Sequence, residues 1–204
     1  MGYSLSHSMY IGRIELATDE IHEFIISTRL DGADYAAPIG IRVARSGALV
    51  AKVYRGSSLW RACAENDVFA LNVCLDPRVF IHATVDRSRL RFSRSKELSI
   101  PIVEGCSGYI ECVKLGFVDM GSFYLLYLQP ISSVVHTLRP YSRALGLSIE
   151  VLIELTRLRA RVKQCDGAKE FLRECISRIQ RVWSSDTYVE LLVESLREYC
   201  GDLR

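Results

Sequence analysis

Short apolar runs separated by turn-forming residues fill the first 140 residues of the chain. The runs are rich in Val, Ile, Tyr and Phe, and Gly, Pro, Asp and Ser lie between them, which is the pattern of short β-strands. Strands are predicted at residues 22–29, 35–44, 48–54, 68–75, 109–118 and 122–128. Asp31-Gly32 and Asp119-Met120-Gly121 suit tight turns within two of the strand pairs. Six strands with short connections predict a barrel or a sandwich.

The apolar period becomes helical after residue 140. Apolar residues then recur every three or four positions, which predicts a helix over residues 142–163. A second helix is predicted after Asp166-Gly167, and a capping-box pattern at residues 187–190 predicts a third that reaches residue 200. The expected fold is therefore mainly β plus α, with a barrel domain at residues 1–138 and a C-terminal three-helix region at residues 139–204.

Composition narrows the class of protein. The 204 residues are 49% hydrophobic and 25% charged, which is ordinary for a folded domain and excludes disorder. The formal net charge of the whole chain is only +2, which is too small to indicate binding to nucleic acid or to an acidic membrane. No apolar run reaches the ~18 residues that span a membrane, and no secretory signal is recognised. A cytoplasmic protein without membrane contact is expected.

Motifs of known catalytic and metal sites are missing from the sequence. There is no HExxH, GxSxG, GxGxxG or P-loop pattern, and the seven cysteines contain no CxxC pair. The four histidines have no metal-ligand spacing. No metal site is predicted, and no residue is assigned a catalytic role.

The segment Tyr54-Arg55-Gly56-Ser57-Ser58 carries the first candidate site, because it joins a predicted strand to a short helical segment at residues 59–66. A Gly-Ser-Ser turn at a helix start presents free N–H groups, two hydroxyls and the positive end of the helix dipole, and Arg55 adds a cation. These groups suit a phosphate. The simpler interpretation, which this segment alone favours, is that Ser57 or Ser58 caps the helix.

A second candidate lies within a predicted strand, at Ala36-Ala37-Pro38-Ile39-Gly40. Pro cannot donate to a strand ladder and Gly has no side chain, so backbone groups and space are left for a flat ligand. An irregular edge strand is the simpler alternative.

A third candidate is the basic segment, residues 86–96, which holds five cations around Phe92. Cations beside an aromatic ring can follow a nucleic-acid backbone. A solvated connection between strands is the commoner meaning of such a segment, so nucleic acid is a disfavoured partner.

Several of these motifs, taken in order, resemble one family. They are Ser27-Thr28-Arg29, Ala37-Pro38-Ile39-Gly40-Ile41-Arg42, Tyr54-Arg55-Gly56-Ser57, Leu71-Asn72-Val73, Asp76-Pro77-Arg78-Val79-Phe80 and Arg139-Pro140-Tyr141-Ser142-Arg143-Ala144. They are similar to those of the family called domain of unknown function 447, over about residues 20–160. That family belongs to the FMN-binding split β-barrel superfamily, alongside flavin reductases and pyridoxamine phosphate oxidases.

The resemblance implies a homodimeric split barrel that binds FMN near the subunit interface. Residues 37–40 would line the isoalloxazine ring through backbone groups, and residues 56–58 would hold the phosphate with support from Arg55. The implied cofactor-binding residues are Thr28, Ala37, Pro38, Ile39, Gly40, Tyr54, Arg55, Gly56, Ser57, Ser58, Asn72 and Arg143. The chain departs from the family pattern at Leu59, Ala62 and Ser142, which implies either a weaker hold on FMN or a phosphate site that uses Ser58.

The expected function is FMN binding, with a flavin-dependent oxidoreductase of unknown substrate and electron donor as the favoured activity. The alternatives are a non-enzymatic flavin carrier and a nucleic-acid-binding module that uses Arg87 to Lys96.

Overall fold

A computed structural model describes residues 8–17, 21–136, 143–160 and 167–182, together with residues 193, 194 and 197. The strands are β1 (Ser8–Ile11), β2 (Ile14–Ala17), β3 (His22–Leu30), β4 (Ala33–Val43), β5 (Leu49–Tyr54), β6 (Val68–Val73), β7 (Phe92–Arg94), β8 (Pro101–Val103), β9 (Gly108–Asp119) and β10 (Phe123–Val135). The helices are α1 (Ser58–Glu65), α2 (Pro77–Thr84), α3 (Arg143–Arg159) and α4 (Lys169–Val182), with a 3-10 turn at Arg87–Arg89.

Six strands close into a barrel in the order β10-β5-β4-β3-β6-β9, and every neighbouring pair is antiparallel. These are the six strands that the sequence predicts, and the predicted turn at Asp119-Met120-Gly121 joins β9 to β10. The barrel interpretation is therefore confirmed over the sandwich. The expected class, mainly β plus α, is confirmed as well.

Alternation along each strand fills the barrel. On β4, for example, Tyr35, Ala37 and Ile39 point into the core, whereas Pro38 and Gly40 lie on the outer side. Leu126 and Leu128 of β10 reach the same core and are fully buried. A period of two places every second residue of a strand inside the barrel.

Two short elements outside the six barrel strands contribute residues to the barrel core. The β1–β2 hairpin buries Ile11, Ile14 and Leu16 there, and the Ser133 hydroxyl of β10 donates to the Ile11 carbonyl oxygen at 2.8 Å. Helix α1 packs against β3, β4 and β5 and buries Ala62 and Cys63 in the same core. The sequence predicted α1 as a helical segment, but it gave no sign of the four-residue strands of the hairpin.

A second hairpin, β7–β8, covers the outer face of the barrel, and two buried polar residues bind it there. The Asn72 amide donates to the Ile25 carbonyl oxygen (2.7 Å) and to the Ser27 hydroxyl (2.8 Å), and it accepts from the Val103 N–H of β8 (2.8 Å). Ser27 in turn donates to the Pro101 carbonyl oxygen at 2.6 Å. Asn72 therefore joins β3, β6 and β8.

Glu111 of β9 is the second such residue, and its side chain is fully buried. Burial alone would raise the pKa of this carboxyl. Hydrogen bonds from the hydroxyls of Ser132 and Ser95 and from the N–H groups of Leu98 and Glu97 outweigh burial and hold the pKa below its usual value. The ionised carboxylate thus holds the turn between β7 and β8.

The remaining described residues form a second compact unit, made of residues 75–89 and the residues after 142. Within it, α3 and α4 confirm the first two predicted helices of the C-terminal region. The third predicted helix lies outside the described residues, apart from helical residues 193, 194 and 197. The domain boundary at residue 138 stays a prediction. None of the described helices is long and apolar enough to cross a membrane.

Candidate functional site

The ladder between β4 and β5 is short, and no pairing of the two strands continues beyond it. β4 pairs with β3 from Ala33 to Ile41, but it pairs with β5 only at Ile41–Val43. β5 continues to Tyr54 paired with β10. Within the described structure, residues 33–40 of β4 are therefore paired with a strand on one side only, the side of β3. We call this divergence of β4 from β5 the split.

The predicted flavin-ring segment lies on the β4 side of the split. The side chains of Ala37 and Ile39 are in the barrel core, so a ligand outside the barrel can meet this segment only through the backbone and the outward residues Pro38 and Gly40. A side chain at Gly40 would come within 2.9 Å of the Ile21 methyl group. The Glu23 carboxylate lies 3.3 Å from the same position, so the side chains of Ile21 and Glu23 pack over Gly40 and leave no room for a side chain there.

The predicted phosphate segment follows β5 directly, and the structure gives its two serines different roles. Gly56 has φ +75, which favours glycine, and it turns the chain towards α1. Ser57 is the N-cap of α1: its hydroxyl accepts from the Trp60 N–H at 3.1 Å and donates to the Tyr54 carbonyl oxygen at 2.8 Å. The capping interpretation is therefore confirmed for Ser57, and its hydroxyl is already used.

Ser58 is the exposed first residue of α1. Its hydroxyl and N–H, and the N–H of Leu59, have no hydrogen-bond partner among the described residues. Unpaired N–H groups and the helix dipole together favour an anion at such a helix end. Of the two serines, Ser58 is the one whose groups remain available to a phosphate.

The Arg55 side chain is held by the β9–β10 turn. One terminal nitrogen donates to both carboxylate oxygens of Asp119, at 2.8 and 2.7 Å, and Nε donates to the Gly121 carbonyl oxygen at 2.8 Å. The guanidinium carbon lies 4.6 Å from the centre of the Tyr124 ring. The hydrogen bond with Arg55 is the main reason that the pKa of Asp119 lies below its usual value.

Three other predicted cofactor residues lie in different surroundings. The Thr28 hydroxyl is buried and donates to the Val68 carbonyl oxygen at 2.9 Å. Asn72 is buried beneath β8, with its amide engaged as described above. Arg143 begins α3, in the other unit, and its side chain lies outside the described residues. The structure thus brings residues 37–40 and 54–58 to the split, and it gives Thr28 and Asn72 internal hydrogen bonds.

An aromatic cluster beside α1 was not predicted. The rings of Trp60 and Tyr124 stack with centres 5.9 Å apart, and Phe117 meets Tyr124 edge-on at the same distance. At the other end of α1, the Lys114 ammonium donates to the carbonyl oxygens of Cys63 (3.1 Å) and Asn66 (2.7 Å). These contacts fix both ends of α1, and therefore the position of the Ser58 N–H. No local sequence signal identifies the contacts of α1, because Tyr124 and Lys114 lie 48 or more residues from their partners at its two ends.

The basic segment is largely neutralised by nearby acids. Arg94 makes a paired contact with Asp34, at 2.8 and 3.0 Å, and Arg89 contacts Asp86 at 3.0 Å. Lys96 lies 3.7 Å from a Glu97 carboxylate oxygen. Cations held by carboxylates attract a phosphate backbone less, so these contacts favour the interpretation of a structural connection.

Comparison with known proteins agrees with the architecture. A structure of an FMN-bound protein of the DUF447 family from Methanosarcina mazei is similar over 86% of this chain and 95% of its own, with a TM-score of 0.67 and 20% identity. Component B of nitrilotriacetate monooxygenase from Mycobacterium thermoresistibile is similar over 59% of this chain and 72% of its own (TM-score 0.51, 16% identity).

A flavin reductase complexed with NADP+ is similar over 59% of this chain and 81% of its own (TM-score 0.52, 13% identity). These likenesses establish that the barrel has the split-barrel fold of such proteins. No curated protein matches the sequence. The model of the family described as "Protein of unknown function (DUF447) N-terminal domain" matches residues 22–136, which is more than half of the chain. The chain therefore belongs to the DUF447 family.

Proposed function

We propose that this chain binds FMN at the split and uses it as a redox cofactor. The observation that carries the proposal is the position of the split directly beside the start of α1. Backbone groups of β4 without a second strand partner could contact the flavin ring, and the helix start after β5 could bind its phosphate. The FMN-bound family member of the same fold supports this choice of ligand.

The fit to FMN rests on four positions in this chain. Pro38 and Gly40 lie on the outer side of β4, where the ring would meet the backbone and the Ile21 and Glu23 side chains that pack over Gly40. The Ser58 hydroxyl and the N–H groups of Ser58 and Leu59 would donate to the phosphate. The internal hydrogen bonds of Thr28 and Asn72 support structural roles for both, so we leave them out of the proposed site.

A bound flavin supplies the transfer of one or two electrons, and the protein supplies binding, orientation and electrostatics. Electron transfer by a bound flavin does not require a described residue to act as an acid, a base or a nucleophile. This agrees with the lack of a catalytic motif in the sequence. We therefore favour a flavin-dependent oxidoreductase with an unknown electron donor and acceptor. Its location in the cytoplasm stays a prediction from the sequence.

The test begins with the purified protein. We expect flavin absorbance, or saturable FMN binding after addition, and mass spectrometry of the small molecule released on denaturation should identify FMN. Bleaching of the absorbance by NADH or NADPH would support the oxidoreductase. Persistent absorbance with both donors would favour the flavin carrier, and a lack of any flavin binding would refute the proposal.

We also propose that the protein is a homodimer, and the outer face of β5 and β10 supports this. Val50, Tyr54, Phe123, Leu125 and Tyr127 alternate with core residues and point outwards, where they are half-buried in the single chain. Val118 lies beside Leu125 in the adjacent strand and is 46% exposed. Lys52 lies opposite Leu125 on the same face, with its ammonium 4.9 Å from the centre of the Tyr54 ring and 4.0 Å from that of Phe123. A surface of apolar and aromatic side chains around one such cation is typical of an interface. A second copy would bury it, with roughly 2,000 Å² or more expected for an obligate pair.

Sedimentation velocity tests the dimer. The wild type should sediment as a dimer at micromolar concentration, and Leu125→Glu should shift it towards the monomer because it would bury a charge in the interface. Ile131→Glu is the matched control, since Ile131 is an exposed apolar residue near the other end of β10. A wild-type monomer, or equal effects of the two variants, would contradict the proposed interface.

A further inference from the structure

The cation beside Gly56 and Ser57 is paired with a carboxylate of the β9–β10 turn. Arg55 is the cation closest in sequence to Gly56 and Ser57, and its side chain is about half exposed. Yet its guanidinium is held by two hydrogen bonds to the Asp119 carboxylate and one to the Gly121 carbonyl oxygen, and it packs on the Tyr124 ring. Contacts with three residues, Asp119, Gly121 and Tyr124, hold Arg55 at the β9–β10 turn.

This arrangement reduces what the chain can offer to a phosphate. The Ser57 hydroxyl is used by the cap of α1 and by the Tyr54 carbonyl oxygen. A phosphate monoester carries close to two negative charges at neutral pH, and an arginine beside it would be the strongest single contact. With Arg55 paired to Asp119, the local charge of the pair is zero, and the remaining donors are those of Ser58 and Leu59.

We propose that Asp119 is a positioning residue that withholds Arg55 from the FMN phosphate and so makes the flavin readily exchangeable. The inference rests on the proposed FMN site. It deepens that site by naming the residue that sets how strongly the protein distinguishes FMN from riboflavin. Affinity differences within one site arise mostly in the dissociation rate, so release of Arg55 should slow the departure of FMN.

Asp119→Asn is the direct test, because the amide keeps the size of the side chain and can still accept from the Gly121 N–H, which now bonds to Asp119 at 2.8 Å. We expect FMN to bind about two- to fivefold more tightly, because the free energy of one exposed ionic contact corresponds to that change in affinity. The affinity for riboflavin should be unchanged. Stopped-flow measurement should show the gain as slower FMN dissociation. Asp31→Asn is the matched control, since Asp31 makes an equally exposed paired contact with Arg61 at 2.8 Å.

A double-mutant cycle separates the release of Arg55 from the simple loss of a negative charge. In an Arg55→Gln background, Asp119→Asn should give no gain in FMN affinity. The same gain in that background would overturn the inference, because the effect would then not pass through Arg55. Weaker FMN binding by the single variant would also overturn it and would mean that Asp119 aims Arg55 at the phosphate. If neither the wild type nor the variants bind either flavin, the proposed FMN site is refuted, and the inference that rests on it is refuted as well.

Discussion

The two serines at the start of α1 allow the phosphate site to be separated from the helix cap. The Ser57 hydroxyl is engaged within the protein, whereas the adjacent Ser58 hydroxyl is exposed and unpaired among the described residues. Ser57→Ala should therefore change the stability of the protein, and Ser58→Asp should change its affinity for FMN. The two substitutions lie one residue apart, so each serves as the control for the other.

The expected sizes follow from the contacts. Loss of the Ser57 cap should lower the free energy of unfolding by about 1 kcal/mol and the melting temperature by about 2–4 °C. In Ser58→Asp, loss of one donor to a charged group costs about 1.5 kcal/mol of binding. A carboxylate about 4 Å from the phosphate adds about 1 kcal/mol even in water. The sum of about 2.5 kcal/mol corresponds to roughly 60-fold weaker FMN binding.

Stability in Ser58→Asp should be unchanged or slightly higher, because α1 has no acidic residue in its first turn and an aspartate there favours the helix dipole. Urea unfolding followed by circular dichroism gives the stability of each variant, and quenching of flavin fluorescence gives its affinity for FMN and riboflavin. Riboflavin lacks the phosphate and should bind Ser58→Asp nearly as well as wild type. Equal losses for both flavins in Ser58→Asp, or an FMN-specific loss in Ser57→Ala, would refute the assignment.

Three further predictions concern the buried groups of the barrel. Asn72→Ala should lower the free energy of unfolding by about 2–4 kcal/mol in urea titrations, because it removes the buried acceptor of the Val103 N–H and the donor to the Ser27 hydroxyl; a loss below 1 kcal/mol would contradict the role of Asn72. The low folded-state pKa of Glu111 gives stability that is fully present above the ordinary value of about 4.3 and is lost as pH falls through the folded pKa. Acid unfolding should therefore be less steep in Glu111→Gln, and identical pH profiles would argue against this. Burial raises the pKa of the Cys63 thiol to about 12, so at pH 8 iodoacetamide should modify it only after unfolding, as peptide mass mapping would show.

The six strands of the barrel were predictable because each of them carries a local sequence signal. Each of these strands is a run of six or more residues rich in apolar side chains, and turn residues bound most of the runs. The N-cap of α1 was predictable for the same reason, since Ser57 lies between a strand pattern and a helix pattern. The short strands β1, β2, β7 and β8 hold three or four residues each, too few for a period to be recognised.

The polar interior could not be predicted in the same way. Asn72 and Glu111 occupy outward positions of their strands, where a polar residue normally faces water. They are buried because β7–β8 folds over them from a distant part of the chain. Arg55 and Asp119 are 64 residues apart, and only the register of β5, β10 and β9 brings them together. Such contacts depend on the assembled fold, and they decide which predicted site residues remain available to a ligand.

Hydrogen–deuterium exchange with and without FMN tests most directly whether the flavin binds at the split. We predict that saturating FMN slows amide exchange at residues 36–40 and 57–60, on the two sides of the split, and leaves residues 95–103 in the outer hairpin unchanged. Riboflavin should protect residues 36–40 with little effect at residues 57–60, because it has a ring but no phosphate. Unchanged exchange in both segments with FMN, or protection confined to the outer hairpin, would contradict the account.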